Sequence, residues 1–278
     1  MSWSKNYELS KYSKLGFSLL LLPLFATQAM ADLSNKPEHL HKEQAVDIVY
    51  SGRVFGIPMI RAKVSAVFLE ESYATRAEFR TSGLAAFFKQ IKVIASAQGI
   101  IRNDRLFTKE YWHKELDGRK NRELFMSFEP DHVTLRVNPP LRTMGDPPAT
   151  MQQRLESLDP ISAVLALALA NKKDANFQNC QGSLKVFDGK QRYNLRLEAQ
   201  GKEKIRTKAY KGLATRCYVW YVPIAGFNAD DLNDPGYEKP VIMWLADEPF
   251  AGLRLPVKFS YKLDFATAVV EARSINVR

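Results

Sequence analysis

The feature that most limits the fold is an alternation of apolar and polar residues with period two, recurring along most of the chain. Ile60, Ala62, Val64, Ala66 and Phe68 fall on one side of an extended segment. Tyr73, Thr75, Ala77, Phe79 and Thr81 fall on one side of the next, with Arg76, Glu78 and Arg80 opposite. Successive strand side chains point to opposite faces, so the pattern gives one buried and one solvated face, the habit of an antiparallel sheet. Further strands are predicted at 46–50, 92–98, 106–114, 122–128 and 133–137, then at 182–187, 192–199, 204–210, 215–223, 241–246, 255–264 and 268–277. Gly52, the Phe55–Pro58 stretch, Asp117-Gly118, Pro130-Asp131 and Asp188-Gly189 supply the turns. A short apolar patch, Leu84 to Phe88, reads as a helical turn packed under the sheet.

Between the two strand-rich halves the pattern changes. Pro139, Pro140, Pro147 and Pro148 punctuate a long loop, and the apolar run from Leu158 to Ala170 follows. Asp159 can cap the first amides of a helix there, Pro160 suits its first position, and Asn171-Lys172-Lys173 complements its C-terminus. The run is apolar on nearly every side, which predicts burial, and it is shorter than the roughly 20 residues a bilayer requires. The expected fold is mainly β: one strongly curved antiparallel sheet, an open barrel or β-spiral, with one buried helix near 159–171. A single domain over 45–278 is preferred to a division at the proline-rich loop.

The N-terminus reads as an export signal. Lys5, Lys11 and Lys14 precede a short apolar stretch, Leu15 to Phe25, and Ala29-Met30-Ala31 forms an A-x-A cleavage site. Cleavage after Ala31 leaves a polar, flexible segment at 32–44 and places the mature chain in the periplasm, with no transmembrane segment. It removes three lysines and Glu8, taking the formal charge from +10 to +8. In that compartment a basic protein meets phospholipid headgroups, lipopolysaccharide and acidic wall polymers, and not nucleic acid. The two cysteines, Cys180 and Cys217, are then expected to form one disulfide between neighbouring strands.

Motifs for catalysis are missing: H-E-x-x-H, G-x-S-x-G, Walker A and G-x-G-x-x-G do not occur. His39 and His41 lie in the polar N-terminal segment, which lacks the supporting shell a metal site needs, and His113 and His132 read as surface residues. No metal or cofactor is expected. A wall-cleaving glycosidase needs a carboxylate pair, yet Glu70-Glu71, Asp230-Asp231 and Asp247-Glu248 are adjacent acids of strand ends and loops. Aromatic and basic residues interleave at 107–114 and 217–221. If the curved sheet encloses an apolar cavity, Phe107, Trp112, Trp220 and Trp244 are the candidates to line it.

Several stretches together resemble a family of bacterial exported proteins known as domain of unknown function number three-one-zero-eight. They are Leu158-Asp-Pro-Ile-Ser-Ala-Val164, Cys180-x-Gly182, Val186-Phe-Asp-Gly-Lys-Gln-Arg-Tyr193 and the segment from Cys217 to Gly226-Phe227, with Tyr50-x-Gly52 and Gly56 at the opening strand. The resemblance implies a periplasmic β-spiral or open barrel without assigned catalytic residues. It is similar in plan to envelope-integrity β-spiral proteins and, more distantly, to half-barrel lipoprotein carriers. The expected function is therefore non-enzymatic: a periplasmic binding or scaffold protein that supports the cell envelope through an anionic component, a lipid or a periplasmic protein. A carrier of a lipid or lipoprotein acyl chain is the alternative, and a cell-wall hydrolase the third.

Overall fold

In the computed structural model, residues 43–83, 85–86, 90–116, 121–169 and 180–278 are described. They belong to one compact unit, Leu40–Arg278. The export signal, residues 32–42 with His39 and His41, most of the Leu84–Phe88 patch, the Asp117-Gly118 turn and Asn171–Lys173 lie outside the described residues.

Thirteen antiparallel strands form one sheet. They are β1 (Gln44–Val54), β2 (Ile57–Phe68), β3 (Ser72–Thr81), β4 (Lys92–Arg102), β5 (Arg105–Leu116), β6 (Glu123–Phe128), β7 (Val133–Asn138), β8 (Gly182–Phe187), β9 (Arg192–Arg206), β10 (Lys211–Ala225), β11 (Val241–Ala246), β12 (Pro256–Lys262) and β13 (Thr267–Val277). The sheet order runs β7 through β1, then β13 through β8, so β1 and β13 meet in the middle and β7 and β8 are the edges. Two meanders are thus joined by one pairing, with Val46 opposite Val277 and Val54 opposite Ala268.

Each hairpin has a local cause. Phe55 and Gly56 both adopt positive φ, 51° and 77°, in the two-residue turn between β1 and β2, the conformation whose twist suits a tight hairpin. Asp188 Oδ1 accepts the amides of Lys190 and Gln191 at 2.8 and 2.7 Å and so folds the β8–β9 turn. The two strands expected at 192–199 and 204–210 are a single strand, β9. The interruption is a bulge, where Gly201 has φ of +91° and the register with β10 shifts between Thr215 and Cys217. Gln44, expected in the flexible N-terminal segment, already pairs with Phe68.

The apolar run after the proline-rich loop forms the central helix, Pro160–Leu169, which contacts β3, β4, β5 and β8 on the inner side of the curved sheet. Burial of this helix is incomplete: Val164 is 42% exposed. A preceding one-turn helix, Met151–Leu155, starts at a capping box between Thr150 and Gln153. Cys180 and Cys217 are bonded, with α-carbons 5.8 Å apart. Cys180 precedes β8 and Cys217 lies on β10, so the bond joins segments separated in the sheet order by β9, not neighbouring strands.

Candidate functional site

Between the central helix and the inner face of β1–β3 and β12–β13 lies an apolar cavity of ≈ 260 Å³. Strand parity explains its walls. The even-numbered residues of β2, Ile60, Ala62, Val64, Ala66 and Phe68, all face it, as do Val46, Ile48, Tyr50 and Gly52 of β1 and Thr75, Ala77 and Phe79 of β3. The space exists because small residues recur on that face. Ala62, Ala66 and Ala77 stand where larger side chains would reach the helix, and a β-carbon on Gly52 would lie 2.3 Å from Ile60 Cγ1. The helix contributes Ile161, Val164, Leu165 and Ala168. Val164 and Phe79, each 42% exposed, are its most open wall residues. An exposed helical valine is here a valine facing an unfilled volume, which is why an all-round apolar helix is not fully buried.

The helix is held at a distance from β1 and β2 by polar contacts. Asp159 Oδ1 accepts the amides of Ile161 and Ser162, both at 3.0 Å, while Oδ2 accepts the Thr108 hydroxyl at 2.7 Å. The Thr108 oxygen accepts the Asp159 amide in return, at 3.2 Å. Tyr73 donates its hydroxyl to Ser162 Oγ at 2.7 Å. At the other end the Arg254 amide donates to the Ala168 carbonyl at 3.0 Å. Burial drives the Asp159 carboxyl above the usual carboxylate range against these hydrogen bonds. Burial, with the Asp159 charge nearby, pushes the Tyr73 phenol up to about 12.

Chemically the cavity is inert. Among the described residues Tyr50 and Thr75 supply its only side-chain hydroxyls, and both are committed. Tyr50 donates to the Pro256 carbonyl at 2.8 Å and Thr75 to the Ser65 carbonyl at 3.1 Å. Among the described residues no carboxylate, histidine, cysteine, lysine or arginine lines it. The wall thus offers dispersion contacts and almost no hydrogen bonding, the property of cavities that stay dry and accept apolar guests.

The four aromatic candidates lie elsewhere. Phe107 is 47% exposed and borders a second, mixed cavity of ≈ 290 Å³ with Arg102, Lys109, Glu129 and Glu156. Trp112 donates to Glu123 Oε1 at 2.7 Å, and Trp220 donates to Glu198 Oε2 at 3.1 Å with Arg196 over its ring. Trp244 is buried, bonds Glu203 and lies under Lys258. None of the four lines the apolar cavity. For three of them chain neighbours take the inward positions instead, Leu106 and Thr108 beside Phe107, Tyr111 beside Trp112 and Tyr221 beside Trp220, whereas Trp244 is in the core beside Ala246 and Leu255 without lining the cavity. A one-residue offset on a strand reverses the face.

Of the remaining candidates, His113 is more enclosed than a surface residue: its side chain is 17% exposed, it sits 3.3 Å from Glu115, and its Nδ1 is buried without a partner. His132 is exposed beside Asp131. The paired acids have structural partners. Asp231 accepts the Asn228 amide at 3.0 Å, and Asp247 is bonded to Arg254 and Thr215, each at 2.6 Å. No cluster able to hold a metal ion occurs among the described residues.

The family model described as Protein of unknown function (DUF3108) matches residues 48–273, which run from β1 to β13. The chain belongs to the DUF3108 family. Among solved structures, this DUF3108 chain is similar to a beta-barrel-like protein of domain of unknown function DUF1849 from Brucella abortus, with 10% identity and a TM-score of 0.47. That likeness covers 85% of this chain and 98% of the other. It is also similar to a lipoprotein, so described provisionally, from Parabacteroides distasonis, with 11% identity, a TM-score of 0.37, and coverage of 85% and 96%. No curated protein matches the DUF3108 chain.

Proposed function

We propose that the protein is a non-enzymatic binding protein of the periplasm that holds one slender apolar chain, an acyl tail, between its central helix and β1–β3. The observation that carries this reading is the cavity wall, whose two hydroxyls, those of Tyr50 and Thr75, are already spent and which among the described residues contains no carboxylate, imidazole, thiol or amine. Acid–base or nucleophilic catalysis needs such groups within reach of a substrate. At ≈ 260 Å³ the volume lies below the roughly 300–1,000 Å³ of drug-sized sites, which favours a single narrow chain. The export signal, the disulfide and the basic charge support an envelope setting.

Native mass spectrometry of protein purified from its own cells tests the proposal. A bound species with the mass of a fatty acid or lipid, displaced by a fluorescent acyl probe, is the expected result. Protein that emerges empty and fails to take up the probe would sink it. The scaffold reading has one observation of its own, a recess of ≈ 580 Å³ lined by Arg61, Lys63, Arg80, Lys208 and Arg273 together with Glu78. Retention on an anionic envelope polymer, lost when Arg61 and Arg80 are replaced by glutamine, is its test.

A further inference from the structure

Two adjoining hairpin tips carry phenylalanines that packing does not require. Phe55 is 71% exposed in the β1–β2 turn, and Phe265 is 72% exposed in the β12–β13 turn. Because β1 pairs with β13, the tips are neighbours, and the two rings lie 6.3 Å apart. Even in contact, each ring leaves most of its surface in water. Ile57, 41% exposed, extends the same apolar edge.

Phe55 is also in an unfavourable conformation. Its φ of 51° belongs to the left-handed region, where a bulky residue is an outlier and Asn, Asp or Gly is the usual occupant of a two-residue turn. The fold therefore tolerates strain at this position and recovers little burial from the side chain. Strain retained without structural return points to a role outside the fold.

Charge and position indicate what the tips meet. Arg53 lies two residues from Phe55 and Lys262 three from Phe265, while Arg61 and Arg80 form an exposed cross-strand pair further along the outer face. Asp264, the acid beside Phe265, is engaged by Lys239. Gly52 and Ile60 line the cavity and face each other two residue pairs from the Val54–Ile57 pair that closes the hairpin. The cavity thus extends towards the end of the sheet that carries the tips.

We propose that this end of the sheet docks on a bilayer bearing anionic phospholipid headgroups, with Phe55 and Phe265 inserted at the headgroup–acyl boundary and Arg53 and Lys262 against the phosphates. Aromatic side chains favour that boundary, and each nearby cation adds attraction that salt weakens. Docking stands on the tips themselves; its purpose, loading an acyl chain from the membrane, rests on the binding reading above.

Vesicle sedimentation tests it, using the exported protein and vesicles of phosphatidylglycerol mixed with phosphatidylcholine, compared with phosphatidylcholine alone. The wild type should sediment with the anionic vesicles, less so in high salt. The double variant Phe55→Asn, Phe265→Ser should lose at least about tenfold in partition coefficient. Asn suits the left-handed turn position, so the melting temperature should not fall. Phe55→Trp with Phe265→Trp should restore sedimentation and show a blue-shifted emission on the anionic vesicles. The wild type and variants share one N-terminus, so the difference between them reports the tips. The proposal is overturned if the double variant sediments like the wild type or if the wild type sediments with neither vesicle. It is likewise overturned if the tips prove to be a dimer contact, seen as a wild-type dimer that the variant breaks. Acyl-probe binding is measured on the same samples: loss of probe uptake with sedimentation intact refutes the cavity reading and leaves docking standing.

Discussion

Replacing Val164 by phenylalanine drives a ring into the cavity from the helix side. Val164 is 42% exposed while lining that volume, so the larger side chain has room without displacing β2 or β3. Phenylalanine and valine have similar helix propensities, so the backbone is not penalised. Four added carbons, fully buried, stabilise by about 3 kcal/mol at roughly 0.8 kcal/mol each; an open wall reduces this to about 1–2 kcal/mol. At about 2–4 °C per kcal/mol for a domain of this size, melting should rise by about 2–8 °C. The ring occupies space an acyl tail would use, so affinity for a fluorescent acyl probe should fall by at least about tenfold, equivalent to about 1.4 kcal/mol. Calorimetry and probe titration on the same preparation decide the matter. A stabilised protein that binds the probe as well as the wild type does would place the ligand elsewhere. A destabilised one would mean that the volume is already closed and the new ring overpacks it.

The Asp159 cap, the disulfide and the Arg254–Asp247 pair each set a further outcome. Asp159→Ala removes a helix cap and leaves Thr108 without its acceptor, a loss of about 2–4 kcal/mol in urea unfolding at neutral pH, whereas Asp159→Asn keeps an acceptor for the amides and should cost under about 1 kcal/mol. The Asp159 carboxyl is raised in the fold, so the folded state binds its proton more readily than the unfolded chain. The wild type should therefore gain stability relative to Asp159→Asn as pH falls from neutrality through the raised value, with the gain complete below the unfolded value near 4; a pH-independent difference would refute this. Reduction of the Cys180–Cys217 bond, which spans 37 residues, should lower stability by about 4 kcal/mol in paired oxidised and reduced denaturation curves. Arg254→Ala removes one of two cations at Asp247, with Lys202 remaining at 2.9 Å, and the Arg254 hydrogen bonds to the Ala246 carbonyl and Thr215, and should cost about 1–3 kcal/mol. Although burial raises the Asp247 carboxyl, hydrogen bonds from Lys202 and Thr215 and the Arg254 charge hold it below its ordinary value. Its contribution is present above about pH 4 and is lost as pH falls through the lower folded value, so Arg254→Ala should flatten the acid limb of the stability profile.

How far the sequence reveals this protein depends on the range of the interactions involved. Strands β8 and β11 begin and end at their predicted bounds, because an apolar run and the turn residues that flank it are local signals. The β9 bulge interrupts the alternation along its strand and reads as a loop, although pairing with β10 continues across it. The inner faces of β2 and β3 are legible as faces, but the space between them and the helix is not. Alanines at positions 62, 66 and 77 read as ordinary strand filler until the helix is known to stand away from them. That distance depends on Asp159 meeting Thr108, 51 positions apart, and on Arg254 meeting Ala168, contacts no local pattern announces. Trp112 and Trp220 draw attention by type, yet face is set by parity, and parity turns the inward positions over to Tyr111 and Tyr221.

The pairing of β1 with β13 also has a kinetic meaning. The Ala45 amide donates to the Arg278 carbonyl and the Arg278 amide to the Ala45 carbonyl, both at 2.9 Å, so the first strand finds its second partner only when the last is available. Each meander can form from sequence-local hairpins, but the two become one sheet through contacts spanning more than two hundred positions, the type of closure that slows folding most. Without that pairing β1 and β13 are open edges, and the cavity, which both strands line, is incomplete. Under the proposed binding function, a ligand that fills this volume would stabilise the junction of the two halves.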